Sequence, residues 1–130
     1  MAINRYLLDS DILIEHLRGK QQALQSITEL NAEGELLVSV ITVAELFTGV
    51  RNERDEKAIN SLLHLARIIP IDEPIARRGG MIRNQYQQSH GTSLADALIA
   101  ATIEAEEATL VTFNQRHFPM ITNLLIPYTR

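Results

Sequence analysis

Short apolar runs alternate along the chain with longer stretches in which apolar positions recur every third or fourth residue. The runs Tyr6–Leu8, Leu36–Val40, Arg67–Ile69, Thr109–Thr112 and Leu124–Ile126 predict strands. The longer stretches predict helices over Asp11–Arg18, Gln21–Asn31, Val43–Gly49, Glu53–Leu65, Glu73–Ser89 and Leu94–Glu106. Wholly apolar short strands separated by helices indicate a parallel sheet buried on both faces, an α/β fold with four or five strands. No repeat, low-complexity tract or Pro/Gly/Ser-rich linker interrupts the pattern, so residues 1–130 read as a single domain. Gly34 and Gly49 fall where a turn or a helix C-cap is expected. Gly79-Gly80 falls inside a helical stretch, which predicts either a break or a close approach of another backbone.

Three acids sit at the junctions of this pattern. Asp9 closes the first apolar run, Glu45 opens the helical stretch after the second strand, and Asp96 lies within the apolar segment Leu94–Ala101. In a parallel α/β sheet the strands end at one edge, where the following helices begin and where ligands bind. Thr112-Phe113-Asn114 leaves the fourth strand at the same edge. Each acid also has a reading as a helix cap. Thr42-Val-Ala-Glu45 and Ser93-Leu-Ala-Asp96 match the capping-box spacing, and Asp9-Ser10-Asp11 can supply an N-cap, with Asp11 the expected capping residue. The two roles are compatible, because the first turn of a helix favours a charged carboxylate. A carboxylate in apolar surroundings is costly unless compensated, and a cation shared by several acids supplies that compensation. Oxygen ligands without sulfur select Mg²⁺ or Mn²⁺, and such a site suits phosphodiester hydrolysis.

Composition narrows the classes. With 130 residues and no cysteine, disulfides, thiolate nucleophiles, zinc ribbons and iron–sulfur clusters are excluded. No apolar run approaches the ~20 residues that span a bilayer, and the N-terminus does not read as a signal peptide. The expectation is a cytoplasmic protein with no membrane association. The net charge of −4 opposes a general electrostatic grip on nucleic acid, so a phosphate would need a local basic patch or a metal to reach an acidic pocket. Arg77, Arg78 and Arg83 on the fifth helix, and Arg51 and Arg54, are candidates for such contacts or for a solvated face. His16, His64 and His90 form no HExxH pattern, and neither G-x-G-x-x-G nor G-x-S-x-G occurs where a dinucleotide site or a hydrolase triad needs it.

The segments Leu7–Ile14, Val38–Leu46, Ser93–Ala101 and Leu110–Phe118 resemble, in order, the four motifs of PIN-domain ribonucleases, especially the VapC-type toxins of bacterial toxin–antitoxin pairs. The resemblance covers the whole chain and implies a PIN-like three-layer α/β/α sandwich. It also implies that Asp9, Glu45 and Asp96 are acidic metal ligands and that Asn114 is the polar active-site position after the fourth strand. The implied activity is a Mg²⁺- or Mn²⁺-dependent endoribonuclease that halts translation by cutting tRNA, rRNA or mRNA. The implied partners are a second copy of the chain and a cognate antitoxin whose tail occludes the acids. The departure is His117, which stands where relatives often carry an acid. Asp11 is then a candidate to replace that acid in part, and Thr112 to orient a water or a carboxylate. Two further readings stay open: a catalytically inactive PIN domain that binds RNA or protein, and a receiver-like signalling domain, which lacks its expected late lysine here.

Overall fold

In the computed structural model, which describes residues 3–130, β1 (Arg5–Leu8) leads through α1 (Ser10–Leu17) and α2 (Gln21–Glu33) to β2 (Glu35–Ser39). From there α3 (Val40–Thr48) and α4 (Glu53–Leu63) precede β3 (Arg67–Ile69). The chain then forms α5 (Glu73–His90), α6 (Leu94–Glu106), β4 (Thr109–Val111), a 3-10 turn at Gln115–His117 and β5 (Leu124–Leu125). The five strands form one parallel sheet in the order β3-β2-β1-β4-β5. The order reverses between β1 and β4, and in open α/β sheets the ligand crevice lies beyond the strand ends at such a switch point. Receiver-like domains use the order 2-1-3-4-5, so that reading is set aside.

Side chains on successive strand residues point to opposite faces, and the core divides accordingly. Leu7, Leu37, Ile69 and Leu110 pack with Ile75 and Ile82 of α5 and Ala97, Ile99 and Ile103 of α6. Leu8, Leu36, Val38 and Val111 pack with Ile12, Ile27, Leu46 and Ile59 of α1 to α4. This is the expected three-layer sandwich. Each such buried leucine or isoleucine contributes about 1.5–3 kcal/mol, which is why the strands need no polar face. Gly79 resolves the double-glycine question. A Cβ there would lie 2.6 Å from Leu98 Cδ2 and 3.2 Å from its Cα, so the glycine lets α5 and α6 approach closely and the helix runs on unbroken.

Two element boundaries near the candidate site depart from expectation. The β-branched run Val40-Ile41-Thr42-Val43 reads as strand then cap, yet α3 starts at Val40 because the buried Ser39 is the N-cap, its Oγ accepting from the Ile41 N–H at 3.1 Å. The expected Thr42–Glu45 capping box therefore does not form, and Glu45 stands inside the helix, not at its start. Likewise α1 is capped by Asp9, which accepts from the Ser10 N–H at 2.8 Å, and not by Asp11. Among the described residues no helix is long and apolar enough to cross a membrane.

Candidate active site

The carboxylate of Asp9 is fixed at the switch point by both of its neighbouring strands. Asp9 follows β1 directly, and its N–H donates to the Val111 carbonyl of β4 at 3.0 Å, so the strand pairing carries it to the sheet edge. It is 7% exposed, and its Oδ2 accepts from the Thr112 hydroxyl at 2.8 Å. That hydroxyl also lies 3.1 Å from Asp11 Oδ2, which takes the Phe113 N–H at 2.9 Å, while Thr112 Oγ1 accepts from the Asn114 N–H at 3.0 Å. One hydroxyl hydrogen cannot satisfy two charged carboxylates fully. Burial, then the charge of Asp11, pushes Asp9 up to about 7; the Thr112 and Ser10 hydrogen bonds hold it down in part, and Asp96 adds to the rise. When protonated, Asp9 can donate to Thr112 and leave the threonine hydrogen to Asp11. Asp11 thus ties the loop after β4 to α1, a role that its expected capping position did not suggest.

Asp96 enters from the opposite helix layer. Ser93 Oγ accepts from the Asp96 N–H at 3.0 Å, which is one half of the expected capping box. The Asp96 carboxylate instead faces His117, with Oδ2 3.2 Å from Nδ1. The Asn114 side-chain amide lies 2.7 Å from the same Nδ1. His117 is held from behind: the hydroxyl of the buried Thr92 donates to its carbonyl at 3.0 Å, and the adjacent Phe118 is 1% exposed in the core. Thr92 carries no signal in the sequence, because its partner lies 25 positions away and no motif marks the pair.

Glu45 completes the edge from α3. Burial and then the charge of Asp96 raise its pKa. Asp96 therefore acts electrostatically on both other acids. Among the described residues, no lysine or arginine forms an ion pair with Asp9, Asp11, Glu45 or Asp96. The donors present are carboxylate, amide and hydroxyl oxygens with one imidazole, the chemistry that suits a hard divalent cation. Among the described residues no three acid or imidazole side chains already surround a single point as a closed cage. Two of the three arginines of α5 are paired with acids other than these: Arg77 with Glu73 and Arg78 with Glu104.

Comparison with known proteins places this geometry in context. The sequence model of the PIN domain matches residues 6–122. The chain is 40% identical over 123 residues to ribonuclease VapC10 of Mycobacterium tuberculosis, covering 94% of this chain and 92% of that protein. Among solved structures it is similar to a toxin–antitoxin complex from Klebsiella pneumoniae, with a TM-score of 0.78 and 31% identity over 95% of this chain and 98% of that one. It is also similar to VapBC2 from Rickettsia felis bound to a DNA fragment from its promoter, with a TM-score of 0.78 and 26% identity over 93% and 96% of the two chains.

Proposed function

Because the chain belongs to the PIN-domain family, we propose that it is a divalent-cation-dependent endoribonuclease, the toxin of a toxin–antitoxin pair that blocks translation by cutting tRNA, rRNA or mRNA. The observation that carries this reading is the set of Asp9, Glu45 and Asp96 at the sheet's switch point with no lysine or arginine paired to them among the described residues.

In this reading Asp9, Asp96 and Glu45 hold Mg²⁺ or Mn²⁺. The bound ion supplies neutralisation of charge on the phosphate and a water of lowered pKa. Thr112 fixes the direction of the Asp9 carboxylate through its hydroxyl. Asn114, set by the Thr112 hydroxyl on its backbone N–H, turns its side-chain amide to His117 beside Asp96. Asp9, with its pKa near neutrality, can hold a proton in the free enzyme and give it up as the cation binds.

Two surface features support the proposed partners. Beside Glu45 runs a groove of about 490 Å³ with Ile14, Leu17, Leu46 and Ile59 in its walls, suited to the apolar side of an antitoxin segment. An arginine on that segment would meet the acids and stand in for the cation. Met81 and Leu94, 63% and 51% exposed on α5 and α6, suit contact with a second copy of the chain. With no membrane-spanning helix among the described residues, the cytoplasm is the proposed compartment.

The test is incubation of the purified, antitoxin-free protein with total tRNA and rRNA in Mg²⁺, Mn²⁺ or EDTA, beside Asp9→Asn. Discrete fragments that vanish with EDTA and in the variant are expected. Intact RNA in every lane, from folded protein that binds no cation, would leave a binding module in place of an enzyme.

A further inference from the structure

We propose that His117 is itself a metal ligand, and that its Nδ1, beside Asp96 Oδ2 and the Asn114 amide, turns this edge of the site towards Mn²⁺ and away from Mg²⁺. The inference rests on the metal-dependent reading above and concerns the residue at which this chain departs from its family's acidic pattern.

The contacts around Nδ1 depend on how the Asn114 amide is turned. Accepting from the Asn114 amide N–H at 2.7 Å requires a lone pair on Nδ1, whereas donating to Asp96 Oδ2 at 3.2 Å requires a hydrogen there. Turning the Asn114 amide over, which exchanges two atoms of nearly equal size, places its oxygen at 2.7 Å instead. One Nδ1–H then donates to both oxygens, and with that proton gone the Nδ1 lone pair faces the same two oxygens, so that a cation in the proton's place would meet one nitrogen and two oxygens. The two oxygens stand 2.7 and 3.2 Å from Nδ1, near enough for all three atoms to serve one small cation.

The ring is also built into place rather than left on a mobile surface. Thr92 holds its backbone carbonyl, the Asn114 carbonyl accepts from its N–H at 3.2 Å, and Phe118 anchors the next residue. Its side chain is 37% exposed and that of Asp96 20%, so the pair faces solvent from which an ion arrives. An imidazole in place of a carboxylate removes one negative charge from the ligand set. It adds a nitrogen donor in place of an oxygen, an exchange that costs Mg²⁺, the stricter of the two ions about its oxygen ligands and waters, more than it costs Mn²⁺. The consequence is a site that discriminates between two hard cations through a single residue.

The experiment is pulsed EPR of Mn²⁺ bound to the tag-free, antitoxin-free protein, with calorimetric affinities for Mn²⁺ and Mg²⁺, on wild type, His117→Asp and His117→Ala. Wild type is expected to show ¹⁴N coupling to the bound Mn²⁺, and both variants to lose it. His117→Asp should bind Mg²⁺ more tightly and lower the preference for Mn²⁺ by roughly 10–100-fold. Mn²⁺ bound without ¹⁴N coupling, and with the same preference in His117→Asp, would overturn the role of His117 while leaving the carboxylate site intact. Failure of folded wild type to bind either ion would overturn both readings. A loss of coupling caused only by unfolding is separated by the circular dichroism and thermal midpoint of each variant.

Discussion

At the edge where the strands begin, Glu35 and Glu106 share the guanidinium of Arg67 at 2.9 and 3.0 Å, and Arg5 stands 3.7 Å from Glu35. Arg67 holds the Glu35 carboxyl below the usual carboxylate range. At the edge where the strands end, Asp9, Asp11, Glu45 and Asp96 gather with no arginine or lysine paired to them among the described residues, and the pKa values of Asp9 and Glu45 rise. One end of the sheet is thus electrically closed by its own side chains. The other carries acids that no arginine or lysine neutralises among the described residues, and we propose that a cation from outside completes it. What stands beside the acids separates the two edges: arginine pairs Glu35 and Glu106, and no arginine or lysine pairs the other four among the described residues.

Removing an acid from the open edge should have the strongest consequence. Asp96→Asn or Asp9→Asn is expected to slow RNA cleavage by about 10³-fold, the equivalent of several kcal/mol of transition-state stabilisation. Single-turnover rates at saturating Mn²⁺ would measure it, and a loss under tenfold would show that the open edge is not the catalytic one.

The same substitution should stabilise the metal-free protein. Asp9 has a folded-state pKa of about 7 against an ordinary 3.8, so the folded chain holds a proton that the unfolded chain releases. The stability due to that proton is complete below about pH 4 and is lost as pH rises through 7. In EDTA at pH 7.5, Asp9→Asn is therefore expected to be more stable than wild type by about 2–4 kcal/mol, with the gap closing towards pH 4. Urea denaturation across that pH range measures it. A variant less stable than wild type at pH 7.5 would erase the contrast between the two edges.

Smaller effects sharpen the comparison. Thr92→Val removes the hydrogen bond to the His117 carbonyl and should cost about 1–2 kcal/mol of stability. A fall in Mn²⁺ affinity should accompany it, seen by calorimetry. Arg67→Met at the closed edge should lower the thermal midpoint by at most about 4 °C, because its ion pairs are half exposed. Its cleavage rate should equal that of wild type. A marked loss of cleavage there would mean that the two edges are coupled.

The layered fold was legible because its signal is local and repeated. Leu7 and Leu8, or Leu37 and Val38, alternate between two cores, and so short an apolar run without a polar face is what a strand covered on both sides requires. Asp9 and Asp96 were legible as candidates because each interrupts such a run at an element boundary. The start of α3 was not, since Val40, Ile41 and Val43 favour strands and only the buried cap Ser39 overrides them. The strand order was not legible either, because periodicity says nothing about which strands pair. Nor was the link from Asp11 to the Phe113 N–H, which joins positions 102 apart in the chain. A hydrogen bond between the first turn of a helix and a distant loop leaves no pattern in either.

The most direct measurement is the thermal midpoint of wild type and Asp9→Asn with and without Mn²⁺, at pH 8 and at pH 5.5. If the open edge lacks a cation that binding supplies, Mn²⁺ raises the wild-type midpoint at pH 8, raises it less at pH 5.5 where Asp9 is protonated, and leaves Asp9→Asn nearly unmoved. Equal shifts in both proteins at both pH values, or no shift in either, would contradict it.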